Sequence, residues 1–310
     1  MEPELMKVYI QLGILLMLML IGYVLGKIRW MDETSNKIFS KYIVKIALPA
    51  IIISGMDMPL NEDTVTRAIS IFCLSILVYA IVLVIACFVP KLLAKEPTRE
   101  GILSFMILFS NCGFMGFPVI GAFLGEESIF YVAIYNVVFN ILLYTIGIKF
   151  VRKGKDDDKK FDFKLLINPG TVASAIGITI FLTGIKIPEF IMGSIDSIGS
   201  TCTPLSMVVI GSMLSLLPIK NMFSDVGIYI VTFIRLFVLP FIIFTLLKYI
   251  LNIEDRWLIA IPVLIAGMPV ASNAAMMAEA YGSDGELASQ GILITTLFSC
   301  ISIPILIYFL

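Results

Sequence analysis

Gly116-Phe117-Pro118-Val119 and Gly267-Met268-Pro269-Val270 are near-identical tetrads, one in each half of the chain, and each lies inside a long apolar run. A proline removes a backbone donor, and its ring clashes with the carbonyl four residues back. An apolar helix that carries one at mid-depth is therefore broken or sharply kinked there. Hydrocarbon offers no partners to the freed groups. Irregular backbone at membrane depth persists only where protein buries it or a watery cavity meets it. Two such breaks in corresponding positions of two halves point to the binding site of a transporter. The tetrads share three of four residues and stand 151 positions apart.

The surrounding composition is that of an integral membrane protein. The 310 residues are 59% hydrophobic and 15% charged, with mean hydropathy +1.01. A helical span needs about 20 apolar residues. Ten charge-poor runs meet that length: 8–26, 36–55, 68–89, 101–124, 128–150, 166–184, 194–217, 226–251, 256–281 and 286–309. No small-residue cleavage site follows the first run, which leads directly into Gly26-Lys27-Ile28-Arg29-Trp30. A retained helix is expected there rather than a signal peptide. Cys73, Cys87, Cys112, Cys202 and Cys300 all fall inside the runs, without paired spacing and with no histidine in the chain to complete a metal set. They read as packing residues. The same absences, with no paired aspartate motif, argue against an intramembrane enzyme. A net charge of −1 gives no reason to expect nucleic acid as a partner.

Loop charges supply the sidedness. On one side lie Lys27, Arg29 and Lys37, then Lys91, Lys95 and Arg99, then a run from Lys149 to Lys164, then Lys220, fourteen basic residues in all. The other side holds five, Lys7, Arg67, Lys186, Lys248 and Arg256. The basic excess marks the cytoplasmic face. Both termini are thus predicted outside, in a multi-pass protein of the cell membrane. The charged stretch at 151–165, which contains Asp156-Asp157-Asp158, separates a first five-helix repeat (1–150) from a second (166–310). An odd number of spans per half makes the second half run opposite to the first. The predicted fold is an all-α membrane protein of ten transmembrane helices, a 5+5 inverted-topology repeat in which helices four and nine are broken and cross.

The breaks define the candidate site. Pro118 and Pro269 are each expected to open a second half-helix, since proline suits the first helical turn. Its unpaired amides and positive end then face the break. If the breaks cross, amides near Gly116 and Gly267 converge, and Asn111 and Asn273 are the side chains best able to orient a carboxylate. The competing reading makes these mere kinks, with each asparagine bonding a neighbouring carbonyl. Asn136 and Asn140 share a helical face, and either line the same cavity or act as polar glue between helices. Arg235 lies about nine residues into span eight and should face a partner or a cavity. Glu279 is a coupling candidate, as partner, proton carrier or cation ligand, or else it reaches water at its helix end. Gln290, Thr295 and Thr296 read as bundle packing. A channel would want a continuous polar stripe or charged ring, and none is visible. An anion channel and a non-transporting sensor stand as the alternatives to a carrier.

The run Ser110-Asn111-Cys112-Gly113-Phe114-Met115-Gly116-Phe117-Pro118 resembles the auxin efflux carrier family. So do Leu48-Pro49, the ending Ala280-Tyr281-Gly282-Ser283-Asp284, and Thr295-Thr296-Leu297-Phe298-Ser299 before Ile303-Pro304. The similarity spans nearly the whole chain and is to the short bacterial branch, with bile-acid sodium symporters as distant relatives. The resemblance implies a scaffold of helices 1, 2, 6 and 7, through which a homodimer forms, and a moving transport unit of helices 3–5 and 8–10. It also implies helices crossing at Pro118 and Pro269, the family's crossover asparagine at Asn111, and an organic anion as substrate. No cofactor is implied. A proton or sodium ion is the open coupling partner, and membrane lipid the remaining one. The fold's sodium/proton antiporters carry acidic residues at their crossing, and residues 108–120 contain none.

Overall fold

The computed structural model describes residues 3–56, 61–154, 167, 169–216 and 225–310; the side chains of 3–9, 11, 12, 276, 279 and 280 are outside the description. Most of the charged segment 151–165, including Asp156-Asp157-Asp158, therefore lies outside the described residues, as does Lys220. Every regular element among the described residues is helical. The first six helices are α1 (Pro3–Lys27), α2 (Glu33–Gly55), α3 (Glu62–Leu93), α4 (Pro97–Leu108), α5 (Cys112–Leu124) and α6 (Ser128–Val151). The rest are α7 (Pro169–Thr183), α8 (Glu189–Leu216, with a turn at Ser200 and Thr201), α9 (Val226–Ile250), α10 (Arg256–Gly267), α11 (Ala274–Ala280) and α12 (Gly285–Phe309). By length and composition α2, α3, α6, α8, α9 and α12 are able to cross a membrane; α5, α7, α10 and residues Gly13–Lys27 of α1 are shorter apolar helices.

Three of the prolines inside these helices are accommodated in a specific way. π-turns at Ile43–Ala47, Cys112–Gly116 and Ile234–Val238 stand immediately before Leu48-Pro49, Phe117-Pro118 and Leu239-Pro240. The Leu48 amide reaches back five residues to the Ile43 carbonyl, and the Leu239 amide to that of Ile234. A turn widened by one residue gives the pyrrolidine ring room, so α2 and α9 continue past their prolines. The same device corrects the expected place of the first break. Pro118 lies at the start of the regular part of α5, behind a π-turn, while the helix is interrupted upstream at Phe109–Asn111. In the second half Pro269 lies within the interruption itself, and α11 opens five residues later at Ala274, so Pro269 does not begin a half-helix.

The chain divides into two compact units. Unit one holds the described residues of Met1–Ile69, Gly113–Val137 and Ile167–Leu217. Within it α1 packs along the Cys202–Leu216 part of α8, and residues 48–55 of α2 lie against α7 and the first part of α8. Small residues make the first crossing possible. A Cβ at Gly22 would fall on the Val208 carbonyl oxygen, and one at Gly211 on that of Met19. Ile43, Ala47, Cys202 and Val209 form a buried cluster between α2 and α8. At the start of α2, Asp32 accepts hydrogen bonds from the amide and hydroxyl of Ser35 at 2.8 and 2.7 Å. The amide, then the hydroxyl, hold its carboxyl below the usual range. That cap is complete above the ordinary carboxylate pKa and fades as pH falls through the lowered one.

Unit two holds the described residues of Ser70–Cys112, Val138–Leu166 and Pro218–Leu310. Phe109 packs its ring on those of Phe105 and Phe139, at 4.7 and 5.7 Å between centroids. Two ion pairs fasten the first turn of α4: Arg99 with Asp225, and Lys153 with Glu100 at 2.6 Å. Asp225 also caps α9 by accepting from the Gly227 amide at 2.8 Å. Partly exposed pairs of this kind add little stability individually. Their contribution is to tie three helix ends of the unit to one another.

Candidate functional site

The site is built from the two interruptions, both inside unit two. After Leu108 the chain leaves helical geometry at Phe109 (φ −104, ψ 112), and after Gly267 it does so at Met268 (φ −67, ψ 151). The freed groups find each other. The Asn111 amide donates to the Pro269 carbonyl at 2.8 Å, and the Ala271 amide to the Phe109 carbonyl at 3.0 Å. Ser110 and Val270 thereby face each other in an isolated antiparallel bridge. All of residues 101–112 and 261–271 are buried, so these bonds satisfy polar groups that water does not reach.

Further ties surround the bridge. The Val270 amide donates to Thr295 Oγ1 at 3.0 Å, and that hydroxyl donates in turn to the Gly291 carbonyl at 2.6 Å. The Met268 amide turns back to Ile265 at 3.3 Å. The amides of Asn111, Met268, Val270 and Ala271 are thus engaged within the protein, and side chains carry more of any ligand recognition than the sequence suggested. Gly267, the last residue of α10, is small for packing: a Cβ there would strike the Leu306 side chain and lie 3.5 Å from the Pro240 ring.

Arg235 is 1% exposed and is the one charged side chain in the buried set of described residues. Its Nε donates to the Met268 carbonyl at 3.0 Å, and its Nη1 to the carbonyls of Met106, at 3.3 Å, and Ile107. These three partners of the cation are main-chain oxygens at the ends of α4 and α10. Asn111 is 4% exposed, while Asn273, at the end of the second interruption, is partly buried with its Oδ1 covered and unpartnered among the described residues. The structure therefore brings Asn111, Pro269 and Arg235 into one bonded network, with Gly267 and Asn273 on the same interrupted segment. Gly116, Pro118 and Asn136 are buried residues of unit one; Asn140, half-buried, belongs to unit two. Glu279 is in α11, and its side chain lies outside the described residues.

Thr295, read from the sequence as bundle packing, is part of the network. Its signal was a hydroxyl in an apolar span, which ordinary helix packing explains equally well. Replacing it with valine keeps the shape but strands the buried Val270 amide, a loss of about 1–3 kcal/mol. We expect Thr295→Val to melt below the parent in a detergent thermal unfolding assay and Thr295→Ser to melt with it. Equal melting of all three would remove Thr295 from the network.

Residues 7–160 and 158–307 match the family model described as Membrane transport protein. The chain belongs to that family. This is the auxin efflux carrier group that the sequence resembles. Similar proteins include an uncharacterized transporter of Methanocaldococcus jannaschii, 28% identical over 94% of this chain and 95% of the relative. A protein of Rhizobium meliloti named "Putative malonate transporter" is 24% identical over 94% and 92%. An uncharacterized transporter of Escherichia coli K12 is 21% identical over 95% of each. As a member of the membrane transport protein family, with six helices among the described residues long and apolar enough to cross a bilayer, the protein is a multi-pass membrane transporter and not an enzyme.

Proposed function

We propose that the protein is a secondary carrier for a small organic anion, held by its carboxylate at the paired interruptions. The observation that carries this reading is the bridge between Phe109–Asn111 and Pro269–Ala271, which fixes two broken membrane helices to each other beside the amide side chains of Asn111 and Asn273. Each asparagine brings two N–H donors suited to a carboxylate. Buried polar backbone at membrane depth has a cost that an unbroken pair of helices would avoid. A binding role is the physical reason to retain it.

The larger frame belongs to the same proposal. Ten membrane helices form two inverted five-helix repeats, with both termini outside. Helices 1, 2, 6 and 7 act as a scaffold and as the homodimer contact, and the remaining helices carry the substrate in an elevator-like displacement. Unit one gathers α1, α2, α7 and α8, in keeping with a scaffold of these helices, and it also takes in Gly113–Val137 of α5 and α6, which this division assigns to the transport unit. The name of the Rhizobium relative supports a dicarboxylate. Protons through Glu279, or sodium held by exposed carbonyls, are the coupling routes open to such a site.

A thermal-shift screen of the purified protein tests the reading directly, because a ligand that binds only the folded state stabilises it by about 2.7 kcal/mol at a hundred times its Kd. We expect a small mono- or dicarboxylate to raise the melting temperature, with a dependence on sodium or pH that names the coupling ion. A flat response to every carboxylate, beside a rise with neutral or cationic solutes, would overturn it. Counterflow in proteoliposomes separates a carrier from a channel, which would pass current without exchange.

A further inference from the structure

The environment of Arg235 carries an inference beyond substrate contact, and it rests on the anion reading above. The backbone of a helix accumulates roughly half a negative charge at its carboxyl end. Here two such ends, those of the twelve-residue helices α4 and α10, are brought to one place by the bridge. Together they present about one negative charge beside the interruptions. That field opposes an anion. Arg235 turns its Nε and Nη1 donors to these ends: Met106 and Ile107 carry the last-turn carbonyls of α4, and Met268 follows α10 directly. The cation thus lies against their combined negative charge, in a region closed to water.

The backbone explains how the side chain gets there. Arg235 lies within the π-turn Ile234–Val238, whose extra residue rotates it relative to a regular helix, and that turn accompanies Pro240. Pro240 thereby bears on where the Arg235 side chain points.

We propose that Arg235 is a positioning residue, which pins the carboxyl ends of the two half-helices together and cancels their charge so that an anion can dwell beside them. It acts through the main chain and does not touch the substrate. Lysine keeps the charge but not the planar fork of donors that reaches several carbonyls at once. Glutamine keeps some hydrogen bonding and loses the charge.

The test uses the full chain with its five cysteines replaced by serine and new cysteines at Ser110 and Val270. Residues opposed in such a non-hydrogen-bonded pair have Cα atoms about 4.5 Å apart, within disulfide range. Oxidative cross-linking reads the pairing with no substrate present. Uptake into proteoliposomes, in the parent and in Arg235→Gln, reads KM for a mono- and a dicarboxylate. We expect Arg235→Gln to slow cross-linking several-fold. We also expect it to raise KM for the dianion about tenfold more than for the monoanion, because each of the dianion's two charges loses its attraction to the cation. Arg235→Lys should keep the parental ratio between the two substrates. Cross-linking at the parental rate in Arg235→Gln overturns the pinning, and equal KM shifts for both substrates overturn the charge cancellation. Should Arg235→Gln fail to accumulate, Arg235→Lys decides: slowed cross-linking with an unchanged ratio supports the proposal, and the reverse overturns it. A parent that cross-links but takes up no carboxylate disproves the anion reading, while the cross-linking arm still judges the pin.

Discussion

Protein carrying Gly211→Leu will accumulate poorly and melt far below the parent. Gly211 lies where α8 crosses α1. A Cβ there would fall on the Met19 carbonyl oxygen and lie 2.8 Å from the Met19 carbonyl carbon and 2.9 Å from the Tyr23 nitrogen. Every one of these atoms is backbone, so no side chain can rotate away. Gly22, across the same crossing, meets the backbone of Val208 in the same manner. Overpacking a well-filled core costs about 1–3 kcal/mol, and more when backbone must move. Close approach of this kind is how membrane helices associate without a hydrophobic drive between them. Gly13 supplies the control, because a Cβ there has nothing within 4 Å. Melting of detergent-solubilised Gly211→Leu and Gly13→Leu measures the difference. If Gly13→Leu were the less stable of the two, the close crossing of α1 and α8 would be disproved.

Asn111→Ala tests the site while keeping the main-chain bond of the bridge. The bond that holds the bridge comes from the main-chain amide of Asn111, which alanine retains. What alanine loses is the side-chain amide. A hydrogen bond to a charged group contributes about 1.5–3 kcal/mol, so KM should rise by about ten- to a hundredfold in protein that still folds. Asn111→Asp should do worse than alanine, since a carboxylate there repels an anionic guest. Proteoliposome uptake with a parallel melting curve decides the matter. A folded Asn111→Ala protein with the parental KM would exclude this side chain from binding.

Apolar length made most helices legible. The run 36–55 corresponds to α2 at Glu33–Gly55, 128–150 to α6 at Ser128–Val151, and 286–309 to α12 at Gly285–Phe309. Hydropathy sees where water is excluded, and that is where these helices lie. It underestimates α3, read as 68–89 and found at Glu62–Leu93. Glu62 and Asp63 at its start and Lys91 at its end are charged, yet each suits the helix end it occupies.

Both interruptions were legible in kind; the second lies at Pro269 as read, and the first lies upstream of its proline. Proline drew attention to Gly116-Phe117-Pro118-Val119, but a π-turn absorbs Pro118, and the chain opens at Phe109, which no residue code marks as a breaker. What opens it is the partner segment, whose Pro269 carbonyl and Ala271 amide are groups every sequence possesses and none displays. Arg235 illustrates the same limit. Its burial was foreseeable from its depth, whereas its acceptors are carbonyls of Met106, Ile107 and Met268, invisible in a string of side chains.

The π-turns bear finally on how these helices tolerate a change in length. A π-turn holds one residue more than an ordinary turn, so deleting one residue between Ile234 and Val238 would restore the ordinary turn and leave the helix beyond it facing nearly as before. Phe241 would stay outward-facing and Ile243 sealed inside. The same deletion in a regular stretch would swing everything beyond it by about 100°, so the widened turn is where such a helix absorbs a lost codon.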